Sequence, residues 1–426
     1  MLDPQNQINK YKNDKVIIIA LFIGSHSIEN QYQLEELERL VNTLGGHVID
    51  KVVQYRKNID PKFYFGKGKL KNVFEYAIEQ NCKYIVINND ISASQIKNIQ
   101  SYFKDKVFIK DRTGIILDIF DKHAKTKEAK TQIKLAQLEY LLPRLTKQWT
   151  HLERQMGGIG TRGGPGETQI EIDRRLVRNQ IIKLKKELIK VLNTRKVQKK
   201  NRKSVYKVSL IGYTNAGKST IMKSLSKKDA YIKDELFATL DTSSKKIQIN
   251  KKNSFIISDT VGFIRNLPDN LIASFRSTLG ELSDSDLLLK IVDISSPEYS
   301  MHLDSIDTVL NHLEINDKKY FIIFNKIDKV QNQSLIKNLK KTYPESLFVS
   351  AFNNINMGSI LNFISNLMNQ DNISKTLYIP YNKTKIIDAI YKNCQILERE
   401  DNEKSVKFKV SGEAKKINNI INQIKK

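Results

Sequence analysis

Eight consecutive residues, Gly212-Tyr213-Thr214-Asn215-Ala216-Gly217-Lys218-Ser219, carry glycines, a lysine and a hydroxyl at the spacing of a phosphate-cradling loop. Glycines allow a turn whose N–H groups point inward, and the N-terminus of a following helix adds partial positive charge. Lys218 is placed to reach the β- and γ-phosphates, and the hydroxyl of Ser219 to bind Mg²⁺. Downstream stand Asp259-Thr260-Val261-Gly262 and Asn325-Lys326-Ile327-Asp328. A carboxylate at Asp259 can hold Mg²⁺ through water, and Gly262 lets the backbone approach a γ-phosphate, so that its N–H distinguishes tri- from diphosphate. Asp328 can accept hydrogen bonds from the N1–H and 2-amino group of guanine. Adenine lacks that donor pair, so the carboxylate argues for GTP over ATP. Three such motifs in this order describe a GTP-binding switch domain.

The flanking segments suit these roles. Lys207–Ile211, Ser254–Ser258 and Tyr320–Phe324 are apolar runs of strand length, each ending at a motif. Thr220 to Leu225 has a helical pattern, opening directly after the loop. Between the first two motifs, Phe237-Ala238-Thr239-Leu240-Asp241 supplies Thr239 as a candidate second Mg²⁺ hydroxyl and first switch. A lone threonine is equally at home in an ordinary loop. Ser350-Ala351-Phe352 follows the strand-like Leu347-Phe348-Val349 and fits a loop whose backbone N–H meets the guanine O6. Lys218, Thr239 and Gly262 are the candidate catalytic residues. Where small GTPases place a glutamine to orient the attacking water, this chain has Phe263, which cannot hydrogen-bond water. Slow intrinsic hydrolysis, accelerated by a partner, is expected. Asn215 is a candidate to hold a K⁺ ion beside the phosphates, or simply serves turn geometry.

These residues must be positioned by a chain of 426 residues, long enough for two or three domains. Its formal net charge of +25 favours a polyanionic partner, most simply nucleic acid, although part of the lysine excess fits a compositional bias. Cys82 and Cys394 lack ligand spacing, so neither zinc nor a disulfide is expected, and a reducing cytoplasm fits. The apolar run Val16–Ile23 is too short to span a bilayer and reads as a buried strand rather than a signal peptide. No membrane insertion is expected, and the chain is read as a monomer.

The periodicity divides the chain into an N-terminal α/β unit over 1–112, a helical hairpin with basic linker over 113–203, a GTP-binding domain over 204–370 and a small α+β domain over 371–426. In the first unit, Val16–Ile23 and Tyr84–Ile87 read as strands and Gln33–Leu44 as a helix. Phe65-Gly66-Lys67-Gly68-Lys69 reads as a basic glycine turn. Leu135, Leu138, Leu142, Leu145, Trp149 and Leu152 alternate steps of three and four, as do Val177, Ile181, Leu184, Leu188 and Val191. Two such helices pack as an antiparallel hairpin, with Pro143 bending the first. At its tip, Arg154 to Gln169 is glycine-rich and carries two arginines, suited to entering folded RNA or to serving as a long connection.

The chain resembles the HflX family, ribosome-associated GTPases of the Obg–HflX group in the TRAFAC class. The resemblance spans nearly the whole sequence and rests on Tyr64–Lys69, Asp111–Phe120, Gly158–Gln169, Asp173–Leu176, Phe237–Asp241 and Asp259–Ile264. It implies a Ras-like domain that binds and hydrolyses GTP with Mg²⁺ held by Ser219, Thr239 and, through water, Asp259. It further implies binding to the large (50S) ribosomal subunit, with the tip reaching 23S rRNA near the peptidyl transferase centre and the subunit stimulating hydrolysis. Arg154, Gly158, Gly160, Arg162, Gly164 and Gly166 are then the candidate rRNA contacts. Members split stalled or idle ribosomes under stress. A subunit-assembly factor and an RNA-remodelling ATPase remain alternatives at this stage.

Overall fold

The computed structural model describes residues 11, 13–103, 106–145, 169–200, 205–226, 237, 243–249, 254–265, 282–315, 317–370, 372–402 and 405–425. The first sheet has the order β2-β1-β3-β4 and is parallel throughout. Its strands are β1 (Lys15–Ile23), β2 (His47–Arg56), β3 (Tyr84–Ile87) and β4 (Phe108–Asp111). A parallel sheet needs cover on both faces, and the alternation of β1 supplies it. Val16, Ile18, Ala20 and Phe22 pack against helices α1 (Ile28–Leu44) and α4 (Arg112–His123). Ile17, Ile19 and Leu21 pack against α2 (Lys67–Glu79) and α3 (Ala93–Tyr102). Lys67 and Lys69, expected in a turn, instead form the first turn of α2 with Gly66 as N-cap. The helix buries Leu70, Val73 and Ala77, and that apolar spacing outweighs the two glycines before it.

Helix α5 (Lys127–Leu141) stops two residues before Pro143, where Leu142–Arg144 tighten into a 3-10 turn. Proline therefore ends this helix rather than bending it, because it clashes with the preceding turn. Leu135, Leu138 and Leu145 nevertheless meet Val177 and Ile181 of α6 (Gln169–Lys200), so the hairpin seam forms. Trp149, Leu152 and the glycine-rich tip lie outside the described residues.

The second sheet has the order β10-β9-β8-β5-β7-β6. Its strands are β5 (Tyr206–Gly212), β6 (Ser243–Gln248), β7 (Ser254–Asp259), β8 (Leu287–Asp293), β9 (Tyr320–Asn325) and β10 (Leu347–Phe348). β6 alone runs antiparallel to its neighbour. Helix α7 (Lys218–Ser226) follows β5, α8 (Tyr299–His312) follows β8, α9 (Gln333–Thr342) follows β9, and α10 (Met357–Gln370) follows β10. Each motif thus sits where a strand ends, at the carboxyl edge of the sheet where α/β folds place their ligands. A last sheet, β11-β13-β12, is antiparallel, with strands β11 (Asn372–Pro380), β12 (Gln395–Asp401) and β13 (Ser405–Glu413). Two helices, α11 (Thr384–Asn393) and α12 (Ala414–Lys425), cover it around a core that includes Phe408. Among the described residues no helix is long and apolar enough to cross a membrane.

The hairpin joins the first unit through Ala129, Ile133 and Ala136, which share its apolar core, and through a buried carboxylate. Asp111 is fully buried and caps α4 by accepting the Gly114 N–H at 2.9 Å. It also accepts the Tyr140 hydroxyl at 2.6 Å and the Arg144 guanidinium at 3.1 Å. Burial pushes its pKa up, opposed by Arg144 and by these hydrogen bonds. Asp111→Ala leaves Arg144 and Tyr140 without this partner, and a buried ion pair broken on one side costs about 3–5 kcal/mol. Urea denaturation of the variant is expected to show a loss of that order.

Candidate nucleotide-binding site

β5 runs into the loop and α7 continues from it, so the loop is pinned at both ends. Gly212 has no room for a side chain, since a Cβ there would lie 2.4 Å from the Ile291 carbonyl oxygen. Gly217 adopts φ +92°, and a Cβ there would stand 2.2 Å from Nδ2 of Asn325. Asn215 is exposed at φ 60°, the left-handed geometry that asparagine tolerates in turns. Lys218 is buried and donates to the carbonyls of Gly212 at 2.9 Å and Tyr213 at 2.8 Å. Burial pushes its pKa down to about 8, against the pull of Asp259. Thr220 lies in the first turn of α7.

The hydroxyl of Ser219 donates to Oδ2 of Asp259 at 2.5 Å. A hydroxyl and a carboxylate meeting beside a phosphate loop are hard oxygen donors of the kind Mg²⁺ takes, so these residues fit that ion. Thr260 is buried, its hydroxyl donating to the Leu210 carbonyl at 2.7 Å, and locks β7 to β5. The segment after Asp259 is then zipped onto the phosphate loop. Phe263 donates its N–H to Gly212 at 3.0 Å, and its carbonyl accepts the Thr214 N–H at 2.7 Å. Gly262 is sandwiched against Thr214, where a Cβ would lie 2.9 Å from the Thr214 Cα.

Asn325 joins the two ends of the site. Its Nδ2 donates to the Ala216 carbonyl at 2.9 Å, and its Oδ1 accepts the Ala351 N–H at 3.0 Å. In the Ser350-Ala351-Phe352 loop, expected to offer a backbone N–H to guanine O6, the Ala351 N–H is thus engaged by Asn325. Lys326 adopts φ 64° and pairs with Asp293 at 2.7 Å. Ile327 and Asp328 form a 3-10 turn in which Asp328 is exposed. Ser350 is buried and Phe352 is 83% exposed.

Two of the expected residues, Phe237 and Tyr213, turn their rings into other contacts, and Phe263, expected to take no part in orienting water, is committed to the core. Phe263 is buried with Val261 and Ile264 in the core shared with the first unit. The Phe237 ring meets Phe120 of α4, centroids 4.8 Å apart. Tyr213 turns its ring onto His302, stacked at 3.9 Å, and its hydroxyl to Glu36 of α1 at 2.5 Å. Ala238, Thr239, Leu240 and Asp241 lie outside the described residues, as do Arg154, Gly158, Gly160, Arg162, Gly164 and Gly166. Sequence reasoning missed Glu36, Arg265 and His302, which carry no local motif and matter through long-range contacts, and it gave no role to Arg112 within the Asp111–Phe120 run.

Comparison with known proteins agrees with this geometry. Residues 207–326 match the family model described as "50S ribosome-binding GTPase", residues 31–121 "GTP-binding GTPase N-terminal" and residues 123–202 "GTP-binding GTPase Middle Region". "GTPase HflX" of Flavobacterium psychrophilum is 40% identical over 393 residues, covering 87% of this chain and 93% of that protein. The chain belongs to the HflX family of GTPases. The HflX of Escherichia coli is 34% identical, covering 90% of this chain and 89% of its own. A solved structure, "crystal structure of SsGBP and GDP complex", is 26% identical with a TM-score of 0.48, covering 84% of this chain and 99% of that one. As an HflX-family member the chain is a GTPase.

Two outcomes follow from the packing. Gly217→Ala is expected to abolish GTP binding in a titration while the fold persists, because its methyl would displace Asn325. Burial also pushes His302 down from 6.5 to about 4, and its Nδ1 is buried without a hydrogen-bond partner among the described residues. Between those values the unfolded chain takes up a proton that the folded chain refuses, so stability rises with pH across that window and is lost as pH falls through it. The shift corresponds to about 3 kcal/mol. His302→Phe is expected to remove that component when denaturant midpoints are compared at pH 7 and pH 4.5.

Proposed function

We propose that this GTPase binds the large ribosomal subunit and uses GTP to dissociate or rescue stalled or idle ribosomes under stress, with slow intrinsic hydrolysis that the ribosome accelerates. The burial of Phe263 carries this reading. The side chain after Gly262 is committed to the core, so it cannot orient the attacking water, and a partner must complete the site. Lys218 would hold the β- and γ-phosphates and the Gly262 N–H would meet the γ-phosphate. Ser219, Thr239 and, through water, Asp259 would hold Mg²⁺, which neutralises phosphate charge when bound. Asp328 would select guanine.

The partner assignment is supported by the net charge of +25, by the match to a 50S ribosome-binding GTPase model and by the hairpin. In this reading Arg154, Gly158, Gly160, Arg162, Gly164 and Gly166 would contact 23S rRNA near the peptidyl transferase centre. Association with ribosomes in the cytoplasm follows from the same reading.

GTP turnover measured with and without purified large subunits, with ATP in parallel, tests it. Strong stimulation for GTP alone is expected; turnover indifferent to subunits would overturn the reading. Deleting Gly157–Gly166 is expected to spare intrinsic hydrolysis and abolish the stimulation. Stimulation that survives the deletion would remove the tip from the mechanism.

A further inference from the structure

Two neighbouring residues at the start of α4 face two different parts of the molecule. Asp111 holds Tyr140 and Arg144 at the base of the hairpin. Arg112, the next residue, points toward the GTPase domain. Its Nη2 donates to Oε2 of Glu36 at 2.9 Å and to the carbonyl of Arg265 at 3.4 Å, and its Nη1 to Asn88 at 3.3 Å. Glu36 uses its other oxygen, Oε1, to accept the Tyr213 hydroxyl. That hydroxyl in turn accepts the N–H of Arg265 at 2.8 Å. The Arg265 guanidinium then pairs with Glu29 of α1 at 3.2 Å and with Glu298 just before α8.

These groups form one closed circuit. It joins the phosphate loop at Tyr213, the segment three residues beyond Gly262 at Arg265, and the first unit at Glu36 and Arg112. The side chains of Arg112 and Arg265 are only 6% and 8% exposed. Charged groups so placed cannot exchange their partners for water at small cost. A shift of the Gly262–Arg265 backbone toward a γ-phosphate must therefore either carry Arg112 with it or break the circuit. Arg112 and Asp111 share the capped first turn of a helix, where one cannot move without the other.

We propose that Arg112 and Glu36 are positioning residues for the GTPase site, and that the Asp111–Arg112 step transmits the state of that site to the hairpin base. This rests on the nucleotide-site reading above and does not depend on what the hairpin binds. The two carboxylate–arginine pairs, Glu36–Arg112 and Asp111–Arg144, are the two ends of the transmission. Coupling of this kind is reciprocal: whatever orders the hairpin base changes the preference of the site for GTP over GDP by the same factor.

The test is amide hydrogen exchange of the full-length chain, saturated in turn with Mg-GDP and with a non-hydrolysable Mg-GTP analogue. Residues 140–145 and the Gly114 amide report the hairpin base. In the wild type their protection is expected to differ between the two nucleotides by about fivefold or more, the usual lower end for coupled sites. Arg112→Gln is expected to bind both nucleotides yet bring the two protection levels together. If that variant does not fold, Glu36→Gln keeps the shape and the hydrogen-bonding oxygen while removing the charge, and the same convergence is expected. A merely structural role would lower protection equally in both nucleotides and leave their ratio intact. An intact ratio in both variants, or identical protection in the wild type, overturns the proposal. Failure of the wild type to bind either nucleotide would instead remove the site reading, and this inference with it.

Discussion

The carboxylate of Glu36 receives a tyrosine hydroxyl from the phosphate loop on one oxygen and an arginine from its own unit on the other. Much of the arrangement depends on that shared group. A carboxylate that gives up most of its water is tolerated when its lone pairs are used, and here the partners come from both sides of a domain boundary. The phosphate loop is therefore not a free-standing module. Tyr213 is part of the loop by sequence and part of the interface by packing, so the shape offered to phosphate depends on α1 and α4 being in place.

The apolar surroundings have the same origin. The residue that many GTPases use to steer water is here a phenylalanine, and its ring lies with Val261, Ile264 and Phe120 in one continuous core. Burying such a ring stabilises the interface by about 2 kcal/mol. It also removes the position from hydrolysis. The backbone around it remains useful: the Phe263 amide and carbonyl lie along the phosphate loop, holding Gly262 against Thr214 and close to Lys218. The placement of the main chain here is thus controlled by tertiary packing.

Much of the site was legible because its constraints are local. Gly212 and Gly217 are required by close approach and by positive φ, and Lys218 and Ser219 follow at fixed spacing on one helix turn. Each of Asp259 and Asn325 ends an apolar strand, which period and length reveal. Legibility failed where a pattern met a competing constraint. Two glycines at 66 and 68 suggested a turn, but the apolar spacing that follows makes Lys67 a helix start. A leucine repeat ran on past residue 141, but Pro143 cannot join the helix and the repeat continues in a tighter turn. Asp328 is exposed rather than enclosed, because it lies in a short 3-10 turn beyond the end of β9.

By itself the sequence determined the nucleotide class, the strands that run into the motifs, and the hairpin seam, since all are written in spacing along one segment, while strands such as His47–Arg56 and Leu287–Asp293 carried no motif to mark them. Only the tertiary structure decided where Tyr213, Phe237 and Phe263 point, and which charges meet. Glu36 and Tyr213 lie 177 positions apart, and Arg112 and Arg265 lie 153 apart. No local periodicity can pair residues at such distances. Their meeting is fixed by two sheets sharing one apolar core, which leaves the polar groups trapped inside it with only each other to bond.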